Sequence, residues 1–160
     1  MDKPAKTPRY WTGAHTTHRL RFHLVFVPKS EVAPAQPTYR KRVLIGALAT
    51  RLEQLLKEAC EVNGWELHEL SILPEHVHLL VQVMPRESVA SVAQRLKGGT
   101  SRVLRSEFPE LSEFLWGSSF WAVGYFAESV GKVDEATMRR YIREQRMPAG
   151  ARGTSEQQAG

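Results

Sequence analysis

Two strand-like segments separated by only two residues constrain this chain more than any other feature. Trp65–Leu73 and His76–Met84 are both rich in strand formers, with only Pro74 and Glu75 between them. So short a gap implies an antiparallel hairpin. In the second segment, LPEHVHLLVQV, side chains two apart share a face. Val77, Leu79, Val81 and Val83 point one way, into a core; His76, His78, Leu80 and Gln82 point the other way.

The rest of the chain supplies partners for this hairpin. In HRLRFHLVFVP (His18–Pro28), Leu20, Phe22, Leu24 and Phe26 alternate with Arg19, Arg21, His23 and Val25, which predicts a half-buried strand. A Pro-rich loop, Pro28–Pro37, follows. Leu44, Leu48, Leu52, Leu55, Leu56 and Ala59 recur at helical spacing and predict a helix over Tyr39–Val62, stopped by Asn63 and Gly64. Ser88 can cap a second helix that turns Val89, Val92, Ala93 and Leu96 inward, is interrupted at Gly98-Gly99, and continues through Val103 and Leu104. SSFWAVGYFAES, Ser118–Ser129, reads as a fourth strand, and Asp134–Gln145 as a last helix with Asp134 as its cap. The order β, α, β, β, α, β, α predicts an α+β domain, an antiparallel β-sheet with helices packed on it. Residues 1–14 read as a flexible basic arm, 15–147 as one folded domain and 148–160 as a flexible tail.

Composition narrows the class. With 160 residues the chain has room for one domain and hardly for two. No apolar run approaches the roughly 20 residues of a membrane helix, and the N-terminus lacks the apolar centre of a secretory signal. A single cysteine, Cys60, rules out an intramolecular disulfide and a cysteine-based zinc site, and fits a reducing cytoplasm. Lys and Arg number 22 against 17 Asp and Glu, and the pI is about 9.6. Residues 1–42 hold nine of the basic residues and two acids, Asp2 and Glu31. This suits a polyanionic partner, and equally a solvated basic tail followed by an ordinary surface.

Two elements can carry chemistry. His76 and His78 on one strand face are either half-exposed surface histidines or a pair converging on one metal ion. The histidine-triad nucleotide hydrolases also use such a strand, but they need a third histidine where Leu80 stands. On the last helix Met138, Tyr141, Ile142 and Gln145 share a face, with Tyr141 and Gln145 one turn apart. Tyr141 is either a core-edge residue or a nucleophile. Taken together, a divalent ion on two neutral histidines and an oxygen ligand could polarise a phosphodiester for attack by the tyrosine phenol. That attack would leave a covalent phosphotyrosine.

At this point the chain resembles a family, the HUH single-tyrosine transposases of small bacterial insertion sequences (TnpA type), and is similar to their domesticated REP-associated relatives. The likeness rests on His-hydrophobe-His in ILPEHVHLLV, on LKGGTSRVLR, on LWGSSFWAVGYFAESVG, and on Tyr-x-x-x-Gln in YIREQ, in that order over about His15–Gln145. The resemblance implies an RRM/ferredoxin-like HUH fold and a bacterial cytoplasmic DNA transposase. It would cut and rejoin single-stranded DNA beside hairpins, using Mg²⁺ or Mn²⁺ and a 5′-phosphotyrosine intermediate. It implies Tyr141 as nucleophile and His76, His78 and Gln145 as metal ligands, with Glu144 a neighbouring carboxylate that could replace Gln145. It also implies a homodimer in which the tyrosine helix crosses to the partner through Gly131-Lys132-Val133. Three features depart from the family pattern: Val27 stands where many relatives have cysteine, Ser30–Thr38 looks like an insertion, and the C-terminal tail is longer than the catalytic helix requires. The resemblance also admits a domesticated nuclease acting on chromosomal palindromes. A hairpin-binding regulator that does not cut is a third reading, and the presence of every expected catalytic residue type stands against it.

The DNA would be met by basic residues. Arg95, Lys97, Arg102 and Arg105 surround Gly98-Gly99, where a bare backbone lets a strand approach; Arg19 and Arg21 on the first strand are further candidates. Phe120, Trp121, Tyr125 and Phe126 could stack on unpaired bases, one or two of them at most, since strand aromatics usually face a core.

Overall fold

The computed structural model describes residues 10–29, 42–113 and 119–145. Most of the Pro-rich loop, the apparent insertion, most of the N-terminal arm and the 148–160 tail lie outside them. The elements are β1 (Trp11–Thr12), β2 (Thr17–His18), β3 (Leu20–Phe26), α1 (Gly46–Asn63), β4 (Glu66–Leu73), β5 (His76–Val83), α2 (Val89–Glu107), a 3-10 turn at Pro109–Glu113, β6 (Phe126–Ser129) and α3 (Glu135–Glu144). Four strands form one antiparallel sheet in the order β4-β5-β3-β6. The α+β architecture follows the alternation read from the sequence.

Register decides which residues meet. Across β3 and β5, Val25 faces His78, His23 faces Leu80 and Arg21 faces Gln82. Across β3 and β6, His23 faces Glu128. One face of the sheet carries Leu24, Phe26, Leu70, Val77, Leu79, Val81 and Val83, all buried beneath α1 and α2. Fully enclosed leucines such as Leu52, Leu56 and Leu79 contribute about 1.5–3 kcal/mol each. The opposite face carries the polar set and receives α3, whose Ile142 and Met138 pack on Leu80 and Val130.

Several boundaries differ from the sequence reading, each for a local reason. Trp11–Thr12 belongs to a small hairpin rather than a loose arm: Gly13 N–H donates to Thr16 O at 2.7 Å, and the Trp11 ring meets His18 edge-on. Helix α1 begins at Gly46, not Tyr39, because Ile45 is extended and the Leu44 N–H is taken by Pro74 O at 2.9 Å. Its end is the expected one. Gly64 adopts φ 75° and its N–H closes on Cys60 and Glu61 carbonyls, a conformation that suits glycine.

Helix α2 starts where Ser88 Oγ accepts from Ser91 N–H and runs unbroken through Gly98-Gly99. Neither glycine has a positive φ, and the Leu96, Thr100 and Leu104 face on either side is buried. Packing on that face outweighs the roughly 1 kcal/mol per glycine of lost helix propensity. The fourth strand is only Phe126–Ser129. Ahead of it Trp121 bridges Pro28, and its indole N–H donates to Thr100 Oγ1 at 2.9 Å, which draws Phe120 and Trp121 into the core. Among the described residues no helix is long and apolar enough to cross a membrane.

Candidate active site

The alternation of β5 places His76, His78, Leu80 and Gln82 on the face covered by α3. His76 and His78 stand side by side, ring centroids 4.7 Å apart. The Tyr141 ring lies 5.7 Å from His78 and 6.2 Å from His23. Tyr141 is 46% exposed, while His78 is 5% exposed. A cavity of about 670 Å³ opens between them, lined by His23, His78, Phe126, Glu128, Asp134 and Tyr141 among others. The predicted nucleophile Tyr141 and the predicted ligand His78 therefore share one cavity within a single chain, while His76 stands beside His78 outside its lining. Gln145 ends α3 one turn beyond Tyr141 and is half-buried, whereas Glu144 is exposed.

The electrostatics suit a metal ligand. Burial, then the neighbouring His76 and His23, push the His78 imidazole down to a pKa of about 4, so it is neutral near pH 7, the form that coordinates a cation. Its Nδ1 is 2.9 Å from His23 Nε2, and its Nε2 is buried with no hydrogen-bond partner. A buried polar atom without a partner calls for an explanation, and a coordinating cation is one. His76 Nδ1 lies 3.3 Å from Glu75 Oε1. Among the described residues no cluster of three or more His, Cys, Asp or Glu side chains is arranged to hold a metal; the site offers two imidazoles.

Ion pairs hold α3 in place. Glu135, at its first turn, pairs with both Arg19 and Arg21. Arg21 also donates from Nε to Gln82 Oε1 at 2.9 Å, and His68 Nε2 reaches the same oxygen at 3.1 Å. Arg143 donates to Glu69 at 2.7 Å. Arg19 and Arg21 side chains are 4% and 2% exposed. Here the DNA expectation is corrected: these guanidiniums are enclosed, with Glu135 as counter-charge, and do not present themselves to a strand.

The basic residues of α2 divide. Gly98, Arg102, Lys97 and Arg105 line a second cavity of about 670 Å³ together with Trp121 and Tyr125. Lys97 also donates to Ala122 O at 2.9 Å and Gly124 O at 2.7 Å, and burial lowers its pKa. Arg95 lies elsewhere, donating to Asn63 at 3.1 Å and standing over the Trp65 ring. Of the four aromatics, Phe120 and Trp121 are buried and Tyr125 and Phe126 are exposed.

Sequence reasoning missed His23 and Glu128. His23 was visible in the alternation of the first strand, on the face of Arg19 and Arg21. Only the pairing of β3 with β5 and β6 brings it to His78 and Glu128.

The chain as a whole is matched by known proteins. The family profile described as transposase IS200 like covers residues 16–145. The chain belongs to the IS200-like transposase family. It is 30% identical over 133 residues to the ISDra2 transposase TnpA of Deinococcus radiodurans, covering 83% of this chain and 89% of that one. It is likewise 30% identical over 132 residues to the transposase for insertion sequence element IS200 of Salmonella typhimurium, covering 82% and 80%. A Deinococcus radiodurans R1 protein whose crystal structure is described as that of a transposase superposes with a TM-score of 0.65 at 29% identity, over 86% of this chain and 99% of that one. The fold is also shared with a REP-associated tyrosine transposase bound to a REP hairpin, at a TM-score of 0.55, 14% identity, and 90% and 72% coverage. These IS200-like relatives give the chain a transposase role.

Proposed function

We propose that this IS200-like transposase cuts and rejoins single-stranded DNA beside hairpins through a covalent 5′-phosphotyrosine on Tyr141. One observation carries the reading: Tyr141 lines the same cavity as His78, whose Nε2 is buried and unpartnered. His76 and His78 would hold a divalent ion, Mg²⁺ or Mn²⁺, with the Gln145 amide oxygen as third protein ligand. When bound, the ion supplies Lewis-acid polarisation of a phosphate oxygen.

The chain's own residues do the rest. Helix α3, seated by Ile142 and by the Glu135 pairs, carries the ring of Tyr141 beside that of His78. Attack forms the Tyr141 Oη–phosphorus bond and breaks the bond from phosphorus to the 3′ oxygen. The phenolic proton is lost to water and the departing 3′ oxygen takes one up. Rejoining reverses the exchange with a new 3′ hydroxyl, so no external energy source is needed. A fold neighbour that holds a REP hairpin supports hairpin DNA as the substrate class. The dimer belongs to the same proposal. In the structure α3 sits on its own sheet, and exchange with a partner would pivot at the exposed Gly131-Lys132-Val133 connection.

The test is covalent capture. Labelled single-stranded hairpin oligonucleotides from the flanks of the gene are mixed with protein and Mn²⁺ and run on a denaturing protein gel. A label-bearing shifted band is expected with the wild type and not with Tyr141→Phe. A band that survives this substitution would sink the tyrosine assignment, and binding without any band would leave a hairpin-binding protein that does not cut.

A further inference from the structure

The metal reading leaves open what orients His78, and the neighbouring strands supply a device for it. We propose that Glu128 is a positioning residue which, acting through His23, locks His78 in the tautomer whose Nε2 is bare. The inference rests on the metal-site reading above and names residues beyond its ligand set.

The argument follows the protons. Glu128 Oε1 lies 3.0 Å from His23 Nδ1. An ionised carboxylate only accepts hydrogen bonds, so His23 Nδ1 carries the proton and donates. In the neutral form that the proposal assigns to it, His23 has one such proton, so its Nε2 holds a lone pair and accepts. Its partner at 2.9 Å is His78 Nδ1, which is then the donor. A doubly protonated His23 would donate here instead and put the His78 proton on Nε2, the outcome that overturns the relay in the test below. With its proton on Nδ1, His78 has none left for Nε2, the buried atom without a hydrogen-bond partner. A lone pair there is what a cation requires, whereas an N–H there would repel one.

The ring positions fit this relay. His23 and His78 are nearly parallel, with planes at 12°. His23 is braced edge-on by Phe126 and Tyr141. Register explains the reach: His23 pairs directly with Glu128 on β6 and lies diagonal to His78 on β5, within range of long side chains. The His23 side chain is 4% exposed and that of Glu128 43%, so the carboxylate can be removed at the sheet edge without opening the core.

The test uses the full chain, labelled with ¹⁵N and free of metal. Long-range proton–nitrogen correlation spectra report which imidazole nitrogen carries the proton. Wild type is expected to show His78 protonated at Nδ1. In Glu128→Ala the proton should redistribute between the two nitrogens, and Mn²⁺ affinity by calorimetry should fall about 10–100-fold, with the thermal midpoint of the metal-free protein unchanged. His78→Ala should bind no Mn²⁺ at the site. If Glu128→Ala keeps both the wild-type tautomer and the wild-type affinity, the relay is overturned and the metal reading stands. If the wild type shows His78 protonated at Nε2, the relay is overturned at once. If the wild type binds no Mn²⁺, the metal reading fails and takes the purpose of the relay with it.

Discussion

The Tyr141 ring meets the His78 ring edge to face, with centroids 5.7 Å apart and planes at 87°. The contact is made by the ring, while the proposed chemistry belongs to the hydroxyl. The two can therefore be separated. Tyr141→Phe keeps the ring at a position that is 46% exposed, so its stability should stay within about 0.5 kcal/mol of wild type. The covalent DNA adduct should vanish. Thermal unfolding and adduct formation measured on one preparation check both halves. A large loss of stability would mean that the hydroxyl is structural.

Metal removal is the second prediction. A ligand that binds only the folded chain stabilises it by mass action, by about 2.7 kcal/mol at 100 times its dissociation constant. Mn²⁺ should therefore raise the thermal midpoint by several degrees, and a chelator should return it to the starting value. His76→Ala combined with His78→Ala should unfold at one temperature with or without Mn²⁺. An equal rise in that double variant would place the ion elsewhere.

What was legible in the sequence was local periodicity. The alternation in HVHLLVQV sorted Val77, Leu79, Val81 and Val83 to the core and His76 and His78 to the other face, because a strand has a period of two wherever it sits. The Met138–Tyr141–Ile142 face was readable by the same kind of argument, and Ile142 is indeed buried. What was not legible was pairing at long range. Arg19 and Arg21 looked like free cations because their counter-charge, Glu135, lies more than a hundred residues along the chain. His23 looked like one more strand residue until the register set it beside His78 and Glu128. Gly98-Gly99 looked like a break because propensity is a weak prior that buried neighbours override.

The Glu135 pairs give the third prediction. Glu135→Ala leaves two enclosed guanidiniums without a counter-charge, a loss of about 3–5 kcal/mol for an enclosed pair. It also loosens the helix that carries Tyr141. Arg143→Ala removes the exposed end of the pair with Glu69, a side chain that is 66% exposed, and should cost under about 1 kcal/mol. Urea unfolding of the two variants side by side tests the contrast. Equal effects would show that the Arg19–Glu135–Arg21 cluster is not the anchor.

The fourth prediction concerns where DNA lies. Arg102 is exposed on α2 and lines the cavity with Gly98, Arg105 and Tyr125. Glycine there leaves bare backbone beside cationic groups, which suits a phosphate chain. If Arg102 neutralises one phosphate, Arg102→Ala should weaken hairpin binding and lower the slope of log affinity against log salt by roughly one contact's worth, about 0.7–0.9. The yield of covalent adduct per bound complex should not change, because Arg102 is absent from the cavity that holds Tyr141 and His78. Arg19→Ala should do the reverse. It breaks an enclosed pair with Glu135, so it should lower the unfolding midpoint and leave the salt slope alone. Fluorescence anisotropy of a labelled single-stranded hairpin across a salt series, beside thermal unfolding of each variant, separates the two. A salt slope that falls with Arg19→Ala and holds with Arg102→Ala would move the DNA path from the α2 groove to the face of the sheet beneath α3.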